Sequence, residues 1–273
     1  HTASDGWPTS DHNGHGTWMA GVTLYQDLAG PLREGRVPPL RIALESCTVI
    51  PPDATPGLLS PGVAIERGVR GIEQDDAEEH PRVFCLAASA PNDRRDGRQS
   101  SLSSLLDDLS FGNGSNPRLF CVATGNVPTP GGQYRVRSYA SLNRDWPAES
   151  PAQAFNVLTV GAYTNFGPPR AGVQVVAPDG DLCPTSRTTI GWRHHRAIKP
   201  DIVMEGGNHR KNLDGRTSVS PPELRLITTG HDVRTTILAT TGQTSAATAA
   251  AAGLAGRILS AYPRLRPETI RAL

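Results

Sequence analysis

The pattern of apolar and polar residues along the chain predicts strands that alternate with helices. Between residues 100 and 110, leucines recur at positions i, i+3, i+4 and i+7, the spacing of one helix face. Continuous apolar runs on either side, at residues 82–88 and 118–123, predict buried strands. The same reasoning predicts strands at residues 40–49, 155–162 and 173–177, a short extended piece at 199–203, and a hairpin formed by residues 224–229 and 235–240.

Helical signals mark the other apolar stretches. One helix is expected to open at His15, and two more at Pro61 and Pro267, because proline suits the first turn of a helix. The longest is expected to open at Ser245, before an alanine-rich run that extends to Gly256. Small side chains let other backbones approach on every side, so this helix is expected in the centre of the domain. On this pattern alone, the interpretation of Ser245 as the N-cap of a buried core helix is favoured over that of a nucleophile.

Alternating strands and helices predict an α/β fold with a mostly parallel sheet and helices on both faces. The length of 273 residues fits one domain over residues 1–273, and we expect that domain to be incomplete at both ends. Functional residues of such sheets gather at the carboxyl ends of strands and at helix starts. His15, Asn126 and Ser245 are expected at such positions.

Composition narrows the classes of function. The 27 basic and 26 acidic side chains leave a formal net charge of +1, so no nucleic-acid partner is expected, and the basic cluster at residues 193–196 is interpreted as a solvated loop. No apolar run reaches the ~20 residues that cross a bilayer, so no membrane partner is expected. The cysteines form no CxxC pair, which argues against a structural zinc site. Cys85 and Cys121 are expected to be buried free thiols, which favours a reducing compartment.

Three residues could supply the parts of a nucleophilic site. A serine hydroxyl reacts only when a base takes its proton, and histidine suits that task because its pKa lies near neutrality. The oxyanion that follows needs hydrogen-bond donors. Ser245, His15 and Asn126 could provide nucleophile, base and donor, although His15 could also be a helix-cap residue and Asn126 a turn residue.

The motifs around these residues resemble those of the subtilisin-like serine peptidases. Residues 11–21, with His15-Gly16-Thr17, are similar to the family's histidine motif, and residues 120–126 to the strand that ends in its oxyanion asparagine. Lys-Pro-Asp-Ile-Val at 199–203 and Gly-Gln-Thr-Ser-Ala-Ala-Thr-Ala at 242–249 resemble the family's KPDIV segment and serine motif. The motifs stand in the family's order, and the similarity runs from about residue 11 to the end.

The resemblance implies a three-layer subtilisin-like fold and a serine endopeptidase that requires no cofactor. Ser245 would attack the scissile carbonyl, with His15 as general base and then general acid. The Asn126 amide and the Ser245 N–H would bind the oxyanion. An extended substrate would pair with an edge formed by Ala88, Ser89 and Ala90. One wall of the S1 pocket, which receives the side chain before the scissile bond, would be formed by Ala123, Thr124 and Gly125.

The sequence departs from the family pattern near the site. Gln243 stands in the Gly-Thr-Ser turn, either as an insertion or in place of part of the turn, and Ala249 replaces a proline. Residues 205–208, Glu-Gly-Gly-Asn, replace Ala-Pro-Gly, and residues 88–90 replace a glycine-rich segment. Added Cβ atoms would narrow the groove, so the family's substrate preference is not carried over.

The aspartate of the family's triad does not occur where its motif requires it. Asp5 precedes Gly6, but residues 1–4 form no apolar strand, and Asp11 belongs to the histidine motif. We therefore expect the catalytic aspartate upstream of His1, on a strand whose loss would leave a gap inside the sheet. A catalytically impaired pseudoenzyme, or a peptide-binding scaffold, is the alternative.

Other interpretations are weaker. An α/β-hydrolase needs glycine two residues before its serine, where Gln243 stands, and its histidine follows the serine. A metallohydrolase could use His12 and His15, but no HExxH helix is present. The Glu-Gly-Gly-Asn variant and the thiols resemble an intracellular bacterial branch of the family, which implies a cytoplasmic location and an ATPase partner. Calcium is possible, but no carboxylate spacing places it.

Overall fold

The computed structural model describes residues 1–4, 7–50, 59–74, 80–90, 96–129, 134–136, 139–193 and 197–273. The helices are α1 His15–Tyr25, α2 Ala29–Arg33, α3 Pro61–Gln74, α4 Ser101–Phe111, α5 Tyr139–Asp145, α6 Gln243–Ala261 and α7 Pro267–Ala272. The strands are β1 Val83–Leu86, β2 Leu119–Ala123, β3 Tyr134–Arg135, β4 Leu158–Tyr163, β5 Ile202–Glu205, β6 Arg210–Lys211, β7 Thr217–Val219, β8 Leu226–Thr229 and β9 Leu238–Thr241. Asp5, Gly6 and residues 194–196, all considered above, lie outside the described residues.

A parallel sheet in the order β1-β2-β4-β5 forms the centre of the molecule. Cys85 of β1 is in register with Cys121 of β2, and Val160 of β4 with Ile202 of β5. The remaining strands form a small antiparallel sheet, β3-β7-β6, and the hairpin β8-β9. The sheet therefore brings the chain segments after β1 and β2 to the same edge.

Alternate residues of β2 face opposite helical layers. Leu119 and Cys121 pack with residues of α6 and α7, whereas Phe120 and Val122 pack with residues of α3 and α4. This alternation follows from the two-residue period of a strand. The helices thus cover both faces of the sheet, which confirms the expected three-layer α/β fold.

The long helix α6 is buried along most of its length, as its composition predicts. Ala246, Ala247 and Ala249 have no exposed surface. Its small residues allow α1 to approach main chain to main chain, since a Cβ atom on Gly253 would lie 2.1 Å from the Thr23 carbonyl oxygen. The Thr23 hydroxyl donates to the Ala249 carbonyl at 3.2 Å. The helices that begin at His15 and just before Ser245 therefore form one packed pair.

Several sequence-based expectations are wrong. Residues 40–49 form no strand, and only Thr48 makes an isolated bridge, to Thr2. Residues 173–177 contribute only a bridge at Val175, and helix α5 lies where the sequence pattern predicts no element. Cys85 is exposed rather than buried, although Cys121 is buried as expected. Among the helices that the structure describes, none is both long and apolar enough to cross a membrane.

Candidate active site

Ser245 lies in the first turn of α6 but does not cap the helix. The N-cap residue is Gly242, so the expected capping role of Ser245 is wrong. The N–H of Gln243 donates to the Gly206 carbonyl at 2.6 Å, and that of Ala246 to the Gly242 carbonyl at 3.3 Å. The Ser245 N–H has no hydrogen-bond partner within the described part of the chain. This free donor at a helix N-terminus can bind an anion.

Asn126 is fixed beside this turn by the residue that precedes the serine. It follows β2, and its Oδ1 accepts hydrogen bonds from the N–H of Thr244 at 3.1 Å and from the Thr244 hydroxyl at 2.9 Å. Because Oδ1 is engaged on this side, the amide NH₂ of Asn126 remains available to donate elsewhere. The structure thus brings Asn126 and Ser245 together.

The Ser245 hydroxyl reaches the end of β1. It donates to the carbonyl oxygen of Ala87, the residue directly after that strand, at 3.2 Å. No hydrogen bond of the described chain joins Ser245 to the His15 ring. The nucleophile candidate is therefore placed between the carboxyl ends of β1 and β2, where sites of parallel sheets occur.

His15 is the first residue of α1, and the loop before it is held by Asp11. The Asp11 carboxylate accepts from the N–H of Gly14 at 2.9 Å and from the N–H of Thr17 at 2.7 Å. Burial alone would raise the pKa of Asp11, but these main-chain hydrogen bonds outweigh it and lower that pKa. Burial lowers the pKa of His15, and the charge of Asp11 partly offsets this. His15 is thereby favoured in the neutral form that a general base needs.

The packed helices place His15 and Ser245 at the same end of the pair. Met19, one turn after His15, belongs to the same apolar cluster as Ala246, which directly follows Ser245. The contact near Thr23 and Ala249 lies further along both helices. Both residues thus lie in the first turns of parallel-running helices.

Gln243 adopts a backbone conformation that normally requires glycine. Its φ is +63°, in the left-handed region, and it stands two residues before Ser245. The main chain of Gly206 packs closely against this turn, since a Cβ atom on Gly206 would lie 3.0 Å from the Gln243 carbonyl oxygen.

The expected peptide-binding edge is only partly free. The main-chain N–H of Ala90 is already used, because it donates to the Ser150 carbonyl at 2.8 Å. Ala88 and Ser89 make no main-chain hydrogen bonds to the rest of the described chain, so they can pair with an extended peptide. Opposite them, Ala123 and Thr124 are buried, and Gly125 has a positive φ of 87°.

A buried ion pair between Glu149 and Arg187 adjoins the groove between residues 88–90 and residues 123–125. The local sequence gave no sign of this ion pair. Arg187 Nη2 lies 2.8 Å from Glu149 Oε1, and the two side chains are only 2% and 3% exposed. Arg187 Nε also donates to the Asn126 carbonyl at 2.8 Å. The guanidinium carbon lies 5.3 Å from the Trp146 ring centroid, a cation–π distance. Arg187 thereby holds the main chain of Asn126 in place through this hydrogen bond.

A cavity of about 620 Å³, here called the strand slot, separates β1 from the extended segment at residues 41–49. Among the described residues, β1 pairs only with β2, so its other edge faces this slot. Apolar side chains of α3, α6 and the two flanking segments line it; they include Val49, Ile65, Val69, Phe84 and Leu259. Within the segment at residues 41–49, Thr48 makes an isolated parallel bridge to Thr2.

Metal-binding side chains do not cluster in the described residues. No group of three or more histidines, cysteines, aspartates or glutamates could hold an ion there. Calcium prefers six or more oxygen ligands. We therefore assign no calcium site.

A family model describes the relationship of this sequence to known proteins. The model of the subtilase family matches residues 1–273. The chain belongs to the subtilase family. It is accordingly a subtilisin-like serine endopeptidase, a hydrolase that acts on polypeptide substrates. No curated protein matches the chain significantly.

Solved subtilase structures share its fold. Sphericase matches with a TM-score of 0.60 and 18% identity, over 99% of this chain and 73% of the other. A cold-adapted subtilisin-like serine proteinase matches with a TM-score of 0.57 and 19% identity, over 97% and 68% of the two chains. A psychrophilic protease matches with a TM-score of 0.54 and 20% identity, over 96% and 68%. These similarities support the subtilase fold of the chain.

Proposed function

We propose that the chain hydrolyses peptide bonds through an acyl-enzyme on Ser245, with His15 as general base and Asn126 in the oxyanion hole. The observation that carries this proposal is the double hydrogen bond from Thr244 to Asn126 Oδ1. It holds the asparagine beside Ser245 while leaving its NH₂ group free. Together with the unpartnered Ser245 N–H, the NH₂ group provides two donors for one oxyanion.

In this mechanism, proton transfer and charge stabilisation are separate tasks. His15 takes the hydroxyl proton of Ser245 as the oxygen attacks the scissile carbonyl, and later gives a proton to the leaving amine. Asn126 and the Ser245 N–H donate to the oxygen that becomes negative. The hydroxyl, which donates to Ala87 in the free chain, must turn toward His15 when substrate binds.

We also propose that the acid that orients His15 lies on a β-strand from outside residues 1–273, and that this strand fills the strand slot. The support is the free edge of β1 and the apolar lining of the slot. A strand parallel to β1 would end beside Ala87, whose carbonyl already contacts Ser245. A carboxylate at that end would lie at the same edge of the sheet as the other three residues.

Labelling by a fluorophosphonate probe tests the proposal. In the full-length protein, the probe should react with Ser245, and Ser245→Ala or His15→Ala should abolish labelling and peptide hydrolysis. Ser104→Ala, which changes an exposed serine of α4, is the matched control and should label normally. An unlabelled Ser245 in folded full-length protein would contradict the mechanism and favour a catalytically impaired, peptide-binding scaffold.

The cytoplasmic location and the ATPase partner are proposals of the same kind. Their support is the sequence variant at residues 205–208 and the four cysteines, which are all free thiols in the described chain. Cell fractionation of the tagged full-length protein tests the location. Recovery outside the cytosol would contradict the location. Purification of the tagged protein without a bound ATPase would contradict the proposed partner.

A further inference from the structure

The carboxylate of Glu149 lies between the two walls of the groove. Its Oε2 accepts a hydrogen bond from the Ser89 hydroxyl at 2.9 Å. On the opposite wall, a Cβ atom placed on Gly125 would lie 2.8 Å from the same oxygen. The carboxylate therefore contacts both walls and occupies the space between them.

The main chain holds Glu149 in this position from both sides. Its N–H donates to the Thr124 carbonyl at 3.1 Å, and the neighbouring Ser150 carbonyl accepts from Ala90 at 2.8 Å. The ion pair with Arg187 fixes the other carboxylate oxygen. A buried charge without its partner is costly, so the side chain cannot leave Arg187 to make room for a substrate.

We infer that Glu149 closes the S1 pocket and makes the enzyme select a small P1 residue, the residue before the scissile bond, namely glycine, alanine or serine. This inference rests on the proposed function, because Ser89 and Gly125 are S1 walls only if Ser245 is the nucleophile. A large apolar P1 side chain would meet the carboxylate. A basic P1 side chain would find the charge of Glu149 already neutralised by Arg187.

Peptides that differ only at P1 test the inference on the full-length protein. We expect kcat/KM for P1 alanine to exceed that for P1 phenylalanine or lysine by about tenfold or more. A preference for phenylalanine would show that the pocket is open, and a preference for lysine would show that Glu149 recognises a cation. Either result would overturn the inference.

A double variant tests the role of the ion pair itself. Glu149→Ala with Arg187→Met removes both charges together and should raise kcat/KM for P1 phenylalanine about tenfold relative to P1 alanine. Glu73→Ala with Arg118→Met is the matched control, because that ion pair is also largely shielded but lies on α3 and before β2. It should leave the P1 ratio unchanged, and an equal change in both variants would overturn the inference.

Fluorophosphonate labelling separates this inference from the proposed function. Labelled Ser245 with the wrong P1 preference overturns only the assignment of Glu149. Unlabelled Ser245 in folded protein overturns the mechanism and, with it, the assignment. The profile of the unsubstituted protein decides the inference even if the double variant does not fold.

Discussion

Thr244 donates two hydrogen bonds to one oxygen of Asn126, through its N–H and through its hydroxyl. The residue before the proposed nucleophile thus sets the orientation of the amide that would bind the oxyanion. Both donors for that oxyanion are therefore fixed to the same helical turn. Such fixed donors stabilise developing charge without a further cost of reorganisation.

Replacement of Asn126 should mainly lower kcat. In subtilisin, loss of one side-chain oxyanion donor lowers kcat by about 10²–10³, and we expect the same order for Asn126→Ala with little change in KM. Steady-state kinetics with one peptide measures both values. The exposed residue Asn116 provides the control, Asn116→Ala, which should behave like the unsubstituted protein. An unchanged kcat in Asn126→Ala would exclude the proposed donor.

Loss of the Thr244 hydroxyl should have a smaller effect of the same kind. Thr244→Val retains the N–H bond to Asn126 and loses one bond of ~1 kcal/mol, so we expect kcat to fall about fivefold. Thr248→Val is the control, because its buried hydroxyl donates only to the Thr244 carbonyl, at 2.6 Å. If both variants lose the same activity, the effect comes from the helix rather than from Asn126.

The acidic limb of the pH–rate profile should report His15. Activity is lost as the pH falls through the pKa of His15, because the protonated ring cannot accept a proton. The Asp11 charge raises that pKa, so Asp11→Asn should move the acidic limb of kcat/KM to lower pH. Asp214→Asn, which changes a fully exposed carboxylate, should leave the limb in place. A shift to higher pH in Asp11→Asn would contradict the assignment of the limb to His15.

Gln243→Gly should stabilise the protein. The left-handed backbone at Gln243 costs a non-glycine residue about 1 kcal/mol or more, partly offset by the larger entropy of glycine in the unfolded chain. We expect a net increase of about 0.5 kcal/mol in the free energy of unfolding, measured by urea denaturation. Gln174→Gly, at an exposed position without positive φ, should instead destabilise. Equal destabilisation by both variants would show that Gln243 is unstrained.

Hydrogen exchange should show whether the strand slot is filled. In the full-length protein, amides of β1 that point away from β2 should be protected if a strand pairs with them. The outer edge of β5 is the internal control, because β5 pairs only with β4 among the described residues. Exchange of the slot-facing β1 amides as fast as the outer β5 amides would show an empty slot.

Local sequence signals predicted the elements whose cause is local. The leucine spacing correctly predicted α4. A capping box formed by Ser100 and Ser103 begins this helix, and Gly112 in the left-handed region ends it. The alanine run became α6. The strand predicted at residues 40–49 does not form, because a strand needs a partner and this segment borders the strand slot on one side. The seven-residue helix α5 was too short to produce a recognisable period.

The candidate site divides in the same way. The motifs made His15, Asn126 and Ser245 candidates because each lies within a short, contiguous sequence motif. Glu149 and Arg187 could not be found, since charged residues are ordinarily exposed and only the fold brings these two together. The role of Thr244 could have been inferred from its position beside Ser245, because a residue adjacent to the proposed nucleophile can hydrogen-bond to the same asparagine.

The contact of Gly253 with the Thr23 carbonyl is made by main chain on both sides. The spacing between α1 and α6, which carry the proposed base and nucleophile, therefore depends on backbone dimensions rather than on side-chain rotamers. Side chains of the groove walls, such as Ser89 and Glu149, can therefore differ without changing this spacing. An added methyl group at Gly253 would instead meet the Thr23 carbonyl oxygen at 2.1 Å and force the two helices apart.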